Sequence, residues 1–488
     1  MKTRIEKDAI GTFPVPSSAY YGIFTARALK NFQLTGLRAP RVYIQALGLI
    51  KEACAEVNFG LGLLDKKVFK AITQAAQEFS GGKFDEEFPI DPIQAGAGTP
   101  YNMNANEVIA NRANEILGKD LGSYDPVHPN NHVNLSQSSN DVTPTAIRIA
   151  ALFLLSPLLD ALDKMTRTLR TFSQKHANVI KVGRTHLEDA VPMTLGQEFR
   201  AYATMLEKSK KRIAQASREL LEIGLGGTAL GTGITTHPYF QKKVAAKLAK
   251  LTRLPLTSAE DLCETTSSMN VFVALSGGLR MLAVDLVKIA NDLKLLNMGP
   301  LAGIAEITLP EVEPGSSIMP GKVNPSVAEA VHMAAYDVMA SDYAVALGAQ
   351  AGQLELNVMT PLILKHLLGA LSLLTNTCEM FRRDCLEGIV VNEKQIKGLF
   401  EGSLVTATAL SPYLGYQVTA ELVKEALATN KSIVYVLRQK GFIADDDIAR
   451  LLSVERTTRP ASVDLTLKKK IERNEAYQKY KAYEDRKI

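Results

Sequence analysis

A mainly α-helical fold built on a central bundle of long helices is predicted by three features of this sequence. Apolar residues recur at three- and four-residue steps over long stretches, as at Leu152, Leu155, Leu159, Leu162, Met165 and Leu169, and that spacing gathers them on one face of a helix. Polar connections rich in Gly and Pro separate these stretches. With 488 residues, 46% of them hydrophobic, the chain is long enough for more than one domain.

Residues 1–140 read as a mixed, mostly helical N-terminal domain, with helices expected over Ile44–Gly60 and Lys67–Phe79 between short polar loops. Residues 141–389 read as the bundle. The first long stripe runs from Thr145 and is interrupted only by Pro157; others span Phe199–Ile223, Met269–Leu296, Val327–Ala346 and Pro361–Phe381. Five such helices, with few charges on much of their circumference, would leave too much apolar surface bare in a monomer. A bundle completed by other subunits is therefore expected. Residues 390–488 are more polar and suit a small C-terminal helical domain, in which Lys468, Lys469 and Lys470 read as a solvated helix face.

Basic and acidic residues number 56 and 51 and are interspersed, so the net charge of +5 gives no footprint for nucleic acid. Met1–Asp8 lacks the apolar core of a signal peptide and no uninterrupted apolar run reaches the length of a membrane span, which leads us to expect no membrane partner and a cytoplasmic location. Cys54, Cys263, Cys378 and Cys385 form no Cys-x-x-Cys pair and read as reduced core thiols.

The run Gly315-Ser316-Ser317-Ile318-Met319-Pro320-Gly321-Lys322-Val323-Asn324-Pro325 has no hydrophobic period and precedes strong helix formers. N–H groups at such a helix start favour an anion, and Lys322 and Asn324 read as the charged and neutral parts of a carboxylate or phosphate site. Four more segments are too polar for simple packing: Gly96–Glu107 with Thr99, His128–Asp141 with Ser138, Ser139 and Asn140, Gly183–Ala190 with Thr185 and His186, and Gly224–Gly233. The last superficially suggests a dinucleotide loop, but it follows a helical stretch, its spacing is wrong and no acidic residue stands in a βαβ context. No nicotinamide cofactor is expected, and the seven histidines show no metal-ligand spacing.

The run from Gly315 to Pro325 resembles the signature loop of the aspartase/fumarase superfamily, Gly-Ser-Ser-x-Met-Pro-x-Lys-x-Asn, and Gly183-Arg184-Thr185-His186 is similar to a second family segment. The resemblance covers nearly the whole chain from Tyr20-Tyr21-Gly22 onward. It implies a three-domain, mostly helical homotetramer with each site assembled from loops of three chains. It also implies reversible anti elimination from a C4 dicarboxylic acid to give fumarate, without a metal or other cofactor. By residue match Ser316 is the base that takes the Cβ proton, with Ser317 beside it in the binding set. Lys322 and Asn324 hold one substrate carboxylate, and Thr185, Ser138 and Ser139 hold the other. Thr99, Asn140 and His186 face the leaving group, His186 pairs with Glu329, and His128 belongs to a secondary anion site outside the catalytic set.

Two leaving groups stay open, with ammonia from L-aspartate ahead of water from L-malate. Ala97, Gln197-Glu198-Phe199-Arg200 and Ala351–Met359 are similar to aspartases, whereas Ser138-Ser139-Asn140, Gly226-Gly227-Thr228 and Glu313-Pro314 are similar to class II fumarases. Phe13 stands where aspartases generally carry arginine and Leu301 where both families usually do, while Arg27 is retained; a modified aspartate is a third substrate class. A non-catalytic scaffold is the remaining alternative, and it gives no reason to keep Ser316, Lys322, Asn324, Thr185, His186 and Glu329 together.

Overall fold

The computed structural model describes residues 2–484. The chain opens with an antiparallel hairpin, β1 (Thr3–Asp8) and β2 (Gly11–Pro16), and continues through α1 (Ile23–Asn31), α2 (Arg41–Gly60), α3 (Lys66–Ser80) and α4 (Thr99–Ile116). The longest helix, α5 (Ser139–Lys175), leads into a second hairpin, β3 (Ile180–Thr185) and β4 (Glu188–Thr194). Then follow α6 (Leu195–Ala216), α7 (Phe240–Thr252), α8 (Leu262–Ser267), α9 (Asn270–Leu296), α10 (Ser326–Gln350) and α11 (Thr360–Phe381). Short helices between Glu393–Gly402 and Glu475–Glu484 close the sequence.

The periodic stretches are helices, with three departures. Pro157 lies inside α5 without ending it. α5 starts at Ser139, six residues ahead of the apolar stripe, because a polar cap begins it. α6 ends at Ala216 and gives way to a tight turn over Ser217–Leu221 and a two-residue strand, Glu222–Ile223, which pairs in parallel with Thr257–Ser258. The Gly-rich segment therefore follows a short strand, where a helical stretch was expected.

The fold comprises two compact units, one of Met1–Leu162, Lys208–Val287 and Ala330–Glu379, the other of Asp163–Glu207, Lys288–Glu329 and Met380–Ile488. In the first unit α2 packs on α3 and α4 through fully buried Tyr43, Leu47, Ile50, Ile72, Phe79 and Tyr101. Its Tyr20-Tyr21-Gly22 turn is held from both sides. Arg4 donates to the carbonyls of Pro16, Ala19 and Tyr21, and Glu107 of α4 accepts from the N–H groups of Gly22, Phe24 and Thr25 and from the Thr25 hydroxyl at 2.7–3.1 Å. A carboxylate there satisfies N–H groups that the start of α1 leaves without helical partners. Burial pushes the Glu107 carboxyl up to about 7, against the pull of those donors. Glu107→Gln, which turns an amide against them, is expected to lower stability by about 1.5–3 kcal/mol, the worth of hydrogen bonds to a charged group; a shift in urea midpoint measures it.

The second unit contains the β3–β4 hairpin and a separate C-terminal core of Leu410, Leu414, Leu422, Val436, Leu437, Ile448 and Ile471. α5 and α9 are long and apolar enough to cross a bilayer, which the absence of an uninterrupted apolar run did not anticipate; in the fold, at least half of each apolar window is buried. Of the four cysteines, all free thiols, Cys54, Cys378 and Cys385 are buried as expected, but Cys263 is exposed. It sits in the first turn of α8, whose N-cap Asp261 accepts its N–H at 2.8 Å and leaves that turn facing outward.

Candidate active site

The residues predicted from sequence form two groups, one in each unit. In the first unit, Thr99 opens α4 and Ser138 caps α5. The Ser138 hydroxyl accepts the Asn140 N–H at 3.3 Å while Asp141, three residues into the helix, accepts the Ser138 N–H at 2.9 Å, a reciprocal capping box. Capping aims the next two side chains. The hydroxyls of Thr99 and Ser139 lie 2.9 Å apart in a hydrogen bond, and the Asn140 amide donates to the Ala229 carbonyl at 2.9 Å. All four residues are half-buried.

Two buried charges absent from the sequence-based set brace this group. Asp141 also accepts the N–H groups of Gly226 and Thr228 at 2.9 Å, which fastens the Gly-rich segment to the serines. Burial pushes its carboxyl up to about 6 despite three backbone donors. Lys51 of α2 is fully buried and donates to the side-chain oxygens of Asn102, Asn134 and Gln137 at 2.6–3.1 Å, just ahead of Ser138. Ser138-x-x-Asp141 is a readable capping signature, whereas Lys51 lies within an apolar helix and carries no local signal.

In the second unit, the signature loop closes on itself. The Gly315 N–H donates to the Lys322 carbonyl at 2.8 Å, the Asn324 amide donates to the Gly315 carbonyl at 2.8 Å, and the Lys322 ammonium donates to the Asn324 side chain at 2.8 Å. A Cβ at position 315 would stand 2.5 Å from the Asn324 nitrogen, so only glycine permits this closure. The Ser316 hydroxyl oxygen accepts the N–H groups of Ile318 and Met319 at 3.2 and 3.0 Å. The donors expected at the helix start thus come from the loop's own turn. Ser316 is half-buried, while Ser317, Lys322 and Glu329 are exposed and Asn324 is half-buried. A cavity of about 230 Å³ borders Gly321–Asn324, with Pro300, Thr308 and Glu311 on its other side.

Thr185 and His186 lie on the hairpin, a strand pair that helical periodicity does not mark. His186 and Leu187 form its two-residue tip with φ of 57° and 64°. Both are left-handed, as a type I′ turn requires, though that turn favours Asn and Gly. Both are exposed. Below the tip, Arg184 donates to Glu306 at 2.7 Å, and Lys181 lies 2.7 Å from carboxylate oxygens of both Glu306 and Glu198. Glu306 is fully buried and Lys181 is 2% exposed. Among the described residues no hydrogen bond joins His186 to Glu329. His128 accepts the N–H groups of Asn130 and Asn131 and so caps a short turn. The Phe13 ring lies under the Arg27 guanidinium, 5.0 Å from its centroid, and Arg27 is paired with Asp8 at 2.8 Å. Leu301 is 97% exposed.

Residues 11–340 match the lyase family and residues 406–459 the fumarase C C-terminus. This chain is a member of the aspartase/fumarase superfamily. Relatives in the superfamily include an aspartate ammonia-lyase of Bacillus subtilis, 44% identical over 457 residues that cover 94% of this chain and 96% of that protein. A class II fumarate hydratase of Nitrosomonas europaea is 48% identical over 424 residues, 87% of this chain and 92% of that protein. The structure of a fumarate lyase:delta crystallin from Brucella melitensis bound to cobalt superimposes with a TM-score of 0.91 at 41% identity, covering 94% of this chain and all of that one. The mainly helical architecture is that of the superfamily, and the protein is a lyase.

Proposed function

We propose that the protein catalyses the reversible anti elimination of ammonia from L-aspartate to give fumarate, as a homotetramer whose sites draw loops from more than one chain. Ser316 accepts the Cβ proton; that electron pair forms the Cα=Cβ bond, and the C–N bond breaks as ammonia leaves. The two N–H groups already directed at the Ser316 oxygen are the donors that stabilise it as the alkoxide, which becomes a neutral hydroxyl when it takes the proton. Lys322 and Asn324 hold one carboxylate, and Ser138, Ser139 and Thr185 the other. Thr99, Asn140 and His186 surround the leaving amine.

The observation that carries ammonia over water is Ala97. This buried residue, φ 58°, is fixed by an N–H bond to the Val358 carbonyl at 2.9 Å, two residues before Thr99. It presents a methyl group where the fumarase pattern has a hydroxyl, and Val358 itself belongs to the aspartase-like segment. Subunit association is supported by an exposed stripe on α10, Met333, Tyr336, Ala340, Tyr343 and Leu347, whose alternating three- and four-residue steps are those of an interhelical seam. On α9, Met281 and Val284 are also exposed.

Class II fumarate hydratase is the second reading, supported by Ser138-Ser139-Asn140 and by the identity to the Nitrosomonas protein. Ultraviolet absorbance of fumarate separates the two. The purified protein is expected to generate it from L-aspartate and not from L-malate; fumarate from malate alone would transfer the assignment to the hydratase.

A further inference from the structure

At the root of the β3–β4 hairpin lies a cavity of about 490 Å³ to which the elimination chemistry assigns nothing. One wall is a face of α5 carrying Lys164, Arg167, Thr168, Thr171 and Lys175; Arg382 comes from the opposite wall. Four cations line it, with a single carboxylate, that of Glu387, which Arg382 and Thr168 engage. The lining therefore carries a net charge of +3 with histidine neutral, against +5 for the whole chain. Lys175 complements the C-terminal dipole of α5 and Arg382 that of α11, a role unavailable to Arg167.

A second observation points into the same space. His176 lines the cavity at 8% exposure, and among the described residues its ring makes no hydrogen bond. Its neighbours are the Phe172 ring, tilted at 45° with centroids 4.5 Å apart, and the charges of Lys175 and Glu393. The backbone of the same residue holds both ends of the hairpin, since its carbonyl accepts the N–H groups of Val179 at 3.2 Å and Gly196 at 3.1 Å.

The cations are spread out. Arg167 and Lys175 are eight residues apart, or about 12 Å at the helical rise, too far for both to close on the two ends of a C4 dicarboxylate. Threonine hydroxyls between them supply further donors, while Phe172, Leu386 and Ile389 form an apolar edge. We infer that this cavity is a binding site for a polyphosphate chain, free or borne by a nucleoside, seated at the hairpin root. The hairpin tip is six residues of β3 away, about 20 Å, so the site is separate from Thr185 and His186 and is placed to act on them only through the hairpin.

Isothermal titration of the full chain with inorganic tripolyphosphate and, separately, with ATP, at fixed ionic strength, tests the assignment. Both are expected to bind, and Arg167→Glu with Lys175→Glu is expected to weaken binding by about 100-fold, two tenfold steps. Both residues are exposed, so the double variant should fold, which circular dichroism checks. Tighter binding of ATP than of tripolyphosphate would identify the nucleoside-borne form and equal binding the free chain. Binding of neither, or binding undiminished in the variant, would overturn the proposal. The readout is independent of turnover, so failure here leaves the ammonia-lyase reading untouched, and the reverse also holds.

Discussion

Ser316→Ala is expected to reduce kcat for fumarate formation by about 10²–10⁴, the range over which a positioned proton acceptor accelerates a reaction. Stability should hardly change. The residue is half-buried in a loop whose closure depends on Gly315, Lys322 and Asn324 rather than on its hydroxyl. What alanine removes is the oxygen at which the N–H groups of Ile318 and Met319 converge. If that oxygen takes the proton, the loss falls on kcat and kcat/KM alike, because its bond to the Cβ proton forms only in the transition state. A rise in KM with kcat preserved would instead make Ser316 a substrate-binding residue. Steady-state kinetics with a melting curve on each protein distinguishes the two results.

The largest structural effect is expected at Glu306. Among the described residues, Glu306→Ala leaves Arg184 with Asp189, 3.9 Å away, as its carboxylate and the Val182 carbonyl at 3.4 Å, and leaves Lys181 with Glu198 as its carboxylate. Removing one partner from a buried set of charges strands the others in a medium that cannot solvate them, and about 3–5 kcal/mol of destabilisation follows. Burial already pushes the Glu198 carboxyl upward against the pull of Lys181, so that residue is poorly suited to compensate. The denaturant midpoint should fall strongly. Any folded Glu306→Ala protein should also lose activity, because Arg184 adjoins Thr185 and His186. Glu306→Gln, which keeps the shape and an oxygen, should lose less stability. Equal midpoints for Glu306→Ala and the unaltered protein would mean that the cluster contributes nothing.

Much of the architecture is legible in the sequence because a 3.6-residue period needs no partner to be recognised. Arg41–Gly60 and Lys66–Ser80 depart from their expected ends by no more than a few residues. The signature loop was readable for the same reason, since its pieces are adjacent. The hairpin was not. Its strands pair residues such as Lys181 and Met193 twelve positions apart, and its tip uses His and Leu in a turn usually marked by Asn and Gly. Lys51 and Glu306 escape a sequence reading on similar grounds, since each acts by meeting side chains far along the chain; Asp141 shows its cap locally but not its reach to Gly226. The early start of α5 is the instructive intermediate case. The apolar stripe gives the helix body from Thr145, but Ser138 and Asp141 set its beginning, and a polar cap is invisible to a search for hydrophobic period.

The left-handed turn at His186 and Leu187 limits how this protein can be re-engineered. Position 187 is an exposed leucine and would be an obvious choice for random substitution in a search for new substrates. Its backbone restricts the library before chemistry is considered. Glycine, asparagine and aspartate tolerate positive φ, whereas valine, isoleucine and threonine are disfavoured there. Codons encoding β-branched residues at 187 should disappear from any selection for soluble expression alone, even when no substrate is supplied. The same filter acts on His186, so the set of residues that can replace it is narrower than the set that could exchange a proton.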